Sequence, residues 1–217
     1  MSEEINLAKK AAGEKAASLV KSGMLVGLGT GSTAYWAIKR IGEMVADGLK
    51  IKAVATSKES EELAKKWDIP IVPFSDIDEL DIDIDGADEV DPNFNLIKGG
   101  GGALLREKII AAKSRQMIVV ADESKSVDTL GKFPLPVEVV PFGIEWTIGH
   151  LKKRCQSLSI RQKEGAAFIT DNGNYILDCD FYPINHPKTL DRELNNIPGV
   201  VENGLFINLC TKVIIGE

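Results

Sequence analysis

Short apolar runs alternate with longer stretches of helical periodicity across residues 24–120, and that alternation confines the chain to a parallel sheet covered by helices. Residues 24–28 lead into Gly29-Thr30-Gly31-Ser32-Thr33 and then a helical stretch over 34–45, a strand, glycine loop and helix in succession. The pattern predicts further strands at 51–55, around Ile82 and Ile84, and at 117–120, with helices at 59–67 and 103–113. Upstream, Ser2 with Glu3 and Glu4 reads as a helix start, and Leu7, Ala8, Ala11, Ala12, Ala16, Leu19 and Val20 form an apolar stripe ending near Gly23.

The grammar changes after about residue 130. Strands are predicted at 135–140 and 158–161 around a helix at 144–155, and 168–170 with 175–177 flank Asn172-Gly173, a hairpin signal because both residues tolerate positive φ. A helix at 188–195 and strands at 205–209 and 212–215 complete the chain. This second part reads as a small α+β unit of split βαβ type set before the closing strands.

A chain of 217 residues with 44% hydrophobic content can bury a substantial core. Its 26 basic and 32 acidic side chains give a net charge of −6, which offers no footprint for nucleic acid or an anionic membrane. A compact anionic ligand held in a local basic pocket is compatible with that charge. Cys155, Cys179 and Cys210 are odd in number and lack CxxC spacing, so they read as reduced thiols rather than a disulfide framework or a zinc site. No signal peptide or membrane span is legible, and the expected location is the cytoplasm.

Four consecutive glycines, Gly99 to Gly102, separate Lys98 from the helical run beginning at Ala103. Each glycine costs roughly 0.5–1 kcal/mol relative to alanine in regular structure, so such a run implies a conformation or close approach that side chains would block. Lys98 and Glu107 at its two ends are the first candidates for chemistry. Glu107 lies about one and a half turns into its predicted helix, where the dipole favours the carboxylate and partial burial would oppose it, the balance a general base requires.

Gly29-Thr30-Gly31-Ser32-Thr33-Ala34 fits GxGxxA between a strand and a helix. The acid that would hold a ribose hydroxyl after the next strand is replaced by Thr56, Ser57 and Lys58, so three readings stand: an NADP site, a phosphate cradle made by Thr30, Ser32, Thr33 and bare backbone N–H groups, or a tight strand-to-helix turn that holds no ligand. Walker A is excluded because no lysine follows the glycine. The run Asp81-Ile82-Asp83-Ile84-Asp85-Gly86 opens like a calcium loop, but Pro92 occupies the closing position where a glutamate is needed. Asp81, Asp83, Glu89 and Asp91 read as a solvated edge, whereas Asp85 and Asp88 bracket Gly86-Ala87 at a strand's carboxyl end and are functional candidates. Lys125 follows another such strand end and can clamp a phosphate. His150 and His186 have no ligand spacing and read as structural.

Taken together, GLGTGST at 27–33, DGADEVD at 85–91, KGGGGALLREK at 98–108 and ADESK at 121–125 resemble the ribose-5-phosphate isomerase A family, with the motifs in the expected order along essentially the whole chain. The resemblance implies a Rossmann-like α/β domain, a parallel sheet with helices on both faces, over 1–130 and 203–217, with a smaller α+β domain of ferredoxin-like type over 131–202. It implies an aldose–ketose isomerase of the non-oxidative pentose phosphate pathway that needs no cofactor and no metal. Glu107 would move the proton, with Lys98 and Asp85 as further catalytic groups. Substrate contacts would come from Thr30, Gly31, Ser32, Thr33, Asp85, Gly86, Ala87, Asp88, Lys98, Gly99, Gly100, Gly101 and Lys125. The implied partner is a sugar phosphate, with no nucleic acid or membrane, and the assembly a homodimer or higher homo-oligomer. An NADP-dependent dehydrogenase, a non-catalytic sugar-phosphate sensor and a coenzyme A transferase remain competing classes.

Overall fold

A computed structural model describes residues 3–216, so Ser2 in the expected helix start lies outside the described residues. In chain order the first elements are α1 (Glu3–Ala17), β1 (Leu25–Leu28), α2 (Ala34–Ala46), β2 (Lys52–Ala55), α3 (Lys58–Lys66), β3 (Ile82–Gly86), β4 (Glu89–Val90), β5 (Leu96–Ile97), α4 (Leu104–Ala112) and β6 (Met117–Asp122). Then follow β7 (Leu135–Val139), α5 (Ile144–Leu151), β8 (Ser157–Ile160), β9 (Gln162–Lys163), β10 (Ala166–Ala167), β11 (Tyr175–Asp180), α6 (Pro187–Asn195), β12 (Val200–Asn203), β13 (Leu205–Phe206) and β14 (Cys210–Gly216).

The chain forms two compact units, one of residues 1–87, 106–126 and 208–217, the other of residues 88–105 and 127–207. Two of the chain's crossings lie near the expected divisions at 130/131 and 202/203. The other two pass the segment 88–105 into the second unit, and no composition shift marks them.

The first unit is built on an all-parallel sheet of five strands in the order β14-β6-β3-β1-β2. The inner strand β6 is buried along its whole length and apolar up to Asp122, β3 is buried with alternating Ile and Asp, and the edge strands β2 and β14 expose Lys52, Thr211 and Lys212. Alternation sends Val26, Leu28, Ile82, Ile84, Ile118, Val120 and Ile214 to one face, where they pack with Ala12 and Ala16 of α1 and Ile38 and Ile41 of α2. On the other face Val54 packs with Leu80 and with Ile110 of α4. Helices therefore cover both faces, as expected.

The buried side of α1 is narrower than the expected stripe. Ala8, Ala12 and Ala16 are buried, whereas Leu7 is 60% exposed and Ala11 is exposed. Ala residues on that side allow close packing, and Gly216 in β14 completes it: a Cβ there would lie 1.8 Å from the Ala8 carbonyl oxygen. Beyond Ala17 the chain continues in tighter turns, with Leu19 N–H donating to Ala16 O and Val20 N–H to Ala17 O, which brings Val20 into the core.

The second unit holds an antiparallel sheet of four strands in the order β12-β7-β11-β8, with α5 and α6 in the crossovers. This is the split βαβ arrangement of the ferredoxin-like class. A three-stranded sheet, β13-β5-β4, and a β9-β10 hairpin accompany it. The Asn172-Gly173 turn forms, with Gly173 at φ 81 and its N–H bonded to Thr170 O. The expected strand at 168–170 does not: it contributes only the bridge between Ile169 and Tyr175. Thr170 instead turns inward, and its hydroxyl donates to the buried Glu138 carboxylate together with the amides of Asn172 and Asn174.

Three of the four acids read as a solvated edge are buried. Asp83 is on β3 with both Ile neighbours on the opposite face, Glu89 accepts the N–H groups of Gly131 and Phe133, and Asp91 accepts those of Asn93 and Asn95. Carboxylates that satisfy backbone donors in this way are internal caps rather than surface charge. The thiols also have a structural consequence. Burial pushes Cys155, Cys179 and Cys210 above the ordinary thiol value of 9.0, Cys179 most strongly. A raised folded value means the folded chain keeps protons that the unfolded chain releases. Their contribution to stability is complete below 9.0 and is lost as pH rises from there toward the folded values. Urea unfolding at about pH 8 and about pH 10 is expected to show a decline that is shallower in Cys179→Ala; an identical decline contradicts this assignment.

Candidate active site

In the first unit β3 lies between β1 and β6, so the segments that leave the carboxyl ends of these three adjacent parallel strands cluster at one edge of the sheet. They carry Thr30 to Thr33 after β1, Asp85 to Ala87 at the end of β3, and Lys125 in a single tight turn (Glu123–Lys125) after β6. Carboxyl edges of parallel sheets are where open α/β folds bind ligands.

Asp85 is fully buried and ties two of these segments together. Its Oδ1 accepts the Thr30 N–H at 2.9 Å and the Gly86 N–H at 2.7 Å. Gly29 is required for this: a Cβ there would lie 2.3 Å from Asp85 Oδ1 and 2.5 Å from its Cα. The Thr30 hydroxyl faces Thr56, Ser57 and Ser60 at 2.7, 2.8 and 3.1 Å, while Ser60 Oγ donates to Gly29 O at 2.6 Å. Thr56 and Ser57 are buried in this hydroxyl cluster, and Ser57 also caps α3 through the Ser60 N–H. The two hydroxyls that supported an NADP reading are therefore holding the loop in shape.

Ser32 and Thr33 precede α2, whose first turn contains no acid and whose cap residue Thr33 makes no side-chain hydrogen bond. The Tyr35 and Trp36 N–H groups are taken by Gly31 O and Thr33 O, so what this helix start offers an anion is the dipole of its 13 residues. Lys9, which the sequence reading passed over, adds a cation here: its Nζ donates to Ser32 Oγ at 3.0 Å and lies 4.0 Å from Asp122 Oδ2, with side chains 9% and 6% exposed. One signal could have found it, since Lys9, Ala12, Gly13 and Ala16 share the buried helical spacing of α1. Lys125 is half-buried.

Glu107 falls in the first turn of α4, nearer the helix start than expected, because Ala103 lies outside the helix. It is 3% exposed. Its spacing to Ile110 and Ala111, both buried, puts it on the stripe that faces the sheet, and Ile110 approaches Gly27 so closely that a Cβ there would lie 2.8 Å from Ile110 Cγ2. Asp83 and Asp85 are on that same face of β3.

Asp88, Lys98, Gly99, Gly100 and Gly101 belong to the second unit. Asp88 N–H donates to Ile97 O, and Asp88 Oδ2 accepts the Gly100 N–H at 2.7 Å. The glycine run has distinct local causes. Gly99 and Gly102 hold φ of 101 and 85, Gly100 would drive a Cβ to 2.4 Å from Asp88 Oδ1, and Gly102 would drive one to 2.4 Å from the Phe168 ring. Gly100 and Gly101 are the exposed pair of the run. Lys98 is 2% exposed, its N–H donating to Gly204 O and its Nζ lying 5.4 Å from the centroid of the Phe206 ring. Among the described residues no three His, Cys, Asp or Glu side chains group as a metal site, and no helix is long and apolar enough to cross a membrane.

The profile of a family described as ribose 5-phosphate isomerase A (phosphoriboisomerase A) matches residues 52–217. Ribose-5-phosphate isomerase A 1 of Oceanobacillus iheyensis is 52% identical over 218 residues, covering 100% of this chain and 97% of the relative. The Bacillus mycoides protein named ribose-5-phosphate isomerase A is 54% identical over 213 residues, covering 96% and 95%. A solved D-ribose-5-phosphate isomerase in complex with phospho-erythronic acid superposes with a TM-score of 0.92 at 43% identity, covering 96% of this chain and 93% of that one. The Methanocaldococcus jannaschii enzyme superposes at 0.91 with 42% identity, covering 96% and 94%. With its motifs, its parallel sheet and these relatives in agreement, the chain belongs to the ribose 5-phosphate isomerase A family.

Proposed function

We propose that the chain interconverts D-ribose 5-phosphate and D-ribulose 5-phosphate by proton transfer through an enediolate, as a step of the non-oxidative pentose phosphate pathway. The observation that carries this reading is Glu107, a nearly buried carboxylate at a helix start on the sheet-facing side of α4. A carboxylate so placed suits removal of the C2 proton and its return at C1. Negative charge then develops on the sugar oxygens, and the buried ammonium of Lys98 is the group assigned to stabilise it. Asp85, anchored by two backbone N–H groups, is assigned to proton movement between sugar oxygens and ring opening. Asp88 and the glycine run Gly99 to Gly101 contact the sugar.

The phosphate is held by Ser32, Thr33 and Lys125, joined by Lys9, so that binding energy remote from the reacting carbons orients them. Gly31, Gly86 and Ala87 contribute main-chain contacts. Lys125→Ala is expected to raise KM for ribose 5-phosphate by the equivalent of roughly 1.5–3 kcal/mol with a smaller change in kcat, as for a lost charge-assisted hydrogen bond. An unchanged KM rejects the clamp.

The reading extends to a cytoplasmic homodimer or higher homo-oligomer that uses no cofactor. Phe142 and Trp146, 92% and 82% exposed, support association of copies. The deciding assay is incubation of purified, EDTA-treated protein with ribose 5-phosphate. Formation of ketose is the expected result, and its absence rejects the function.

A further inference from the structure

The exposed peptides of the glycine run have no side chains to hold them, so whatever fixes them must reach in from elsewhere. In the second unit Arg161, just beyond β8, does so. Its Nη1 donates to Gly99 O at 2.6 Å and to Gly100 O at 3.0 Å. The rest of the guanidinium is gripped by Asp178 of β11: Nε donates to Oδ2 at 3.0 Å and Nη2 to Oδ1. The two side chains are 14% and 23% exposed. From the other side Asp88 Oδ2 accepts the Gly100 N–H at 2.7 Å, so the peptide between Gly99 and Gly100 is held at both its carbonyl and its amide.

We propose that Arg161 is a positioning residue for this reaction, fixing and polarising the Gly99–Gly100 and Gly100–Gly101 peptides that meet the sugar. The proposal rests on the isomerase reading above. A cation at a carbonyl oxygen draws density from the amide, so the N–H of the same peptide becomes a stronger donor. Gly99 O shares its peptide with Gly100 N–H, and Gly100 O shares its peptide with Gly101 N–H. The Gly100 N–H is spent on Asp88, so Arg161 and Asp88 together fix that peptide, while the Gly101 N–H is the amide sharpened toward negative charge, which the sugar acquires only as the enediolate forms. Arginine is the residue type this requires. Its planar fork holds a carboxylate with two edges and still offers Nη1 to two carbonyls, which the single ammonium of lysine cannot reproduce.

The test compares wild type, Arg161→Lys and Asp178→Asn by steady-state kinetics with ribose 5-phosphate, by thermal unfolding, and by inhibition with phospho-erythronic acid and with inorganic phosphate. The planar carboxylate of the sugar acid imitates the enediolate oxygens, whereas inorganic phosphate reports only the anion cradle. Arg161→Lys is expected to lower kcat by about tenfold to a hundredfold, with a smaller fall in Asp178→Asn, the scale of a displaced positioning element. Phospho-erythronic acid should weaken in step with kcat, and inorganic phosphate should bind unchanged. A kcat within about twofold of wild type in both variants overturns the proposal, as does equal weakening of both inhibitors. If Arg161→Lys fails to fold, the outcome for Asp178→Asn decides; failure of both to fold makes the pair a stability element only and also overturns it. Absence of turnover in wild type rejects the isomerase reading itself, whereas an active wild type with unaffected variants rejects only the role of Arg161.

Discussion

Replacing Glu107 by glutamine is expected to lower kcat by ~10²–10⁴ while leaving KM little changed. The amide keeps the size and hydrogen-bonding shape of the carboxylate but cannot accept the proton at C2. Glu107 is 3% exposed, in the first turn of α4, with Ile110 and Ala111 on the same stripe, so the variant retains the packing of a helix that has little freedom to move. The phosphate contacts proposed above come from other segments, which is why ground-state binding should survive. Steady-state kinetics with ribose 5-phosphate checks this, and near-normal turnover would remove Glu107 from the mechanism.

Lys98→Met should lower kcat by ~10²–10³, the loss seen when one stabiliser of developing oxyanion charge is removed. Lys98 is 2% exposed, and an ammonium screened from water acts on nearby charge far more strongly than one at the surface. Methionine preserves the apolar stem beside the Phe206 ring, so the packing of that stem survives the substitution. The expected signature is a slow enzyme that still unfolds in one cooperative transition in urea. A variant that turns over within a few-fold of wild type contradicts the assignment.

The elements most legible in the chain were those where only one physical reason could explain the residues. Glycine at 29, 99, 100 and 102 answers to close approach by Asp85, to positive φ, to Asp88 and to Phe168, and a run of such residues from 99 to 102 has no use in regular structure. Apolar runs such as that of β6 have one use in an alternating chain. Polar residues were harder, because burial of a charge depends on partners distant in sequence. Glu89 looks like a surface acid until Gly131 and Phe133 bring their N–H groups to it, and Lys9 looks solvated among alanines until Ser32 and Asp122 close around it. Arg161 carries no motif, and its meaning comes from the carbonyls of Gly99 and Gly100, whose acceptance no pattern of side chains announces. The turn at Asn172-Gly173 was legible from backbone preference alone, whereas the strand expected before it gave way to the demand of buried Glu138 for donors.

The central claim is that a carboxylate base moves a proton, so the fate of the C2 hydrogen tests it most directly. Isomerisation of ribose 5-phosphate in deuterium oxide by EDTA-treated wild-type protein, followed by NMR, should place solvent deuterium at C1 of ribulose 5-phosphate. Deuterium entering C1 of the product at an undiminished rate in Glu107→Gln would contradict Glu107 as the group that carries the proton from C2 to C1.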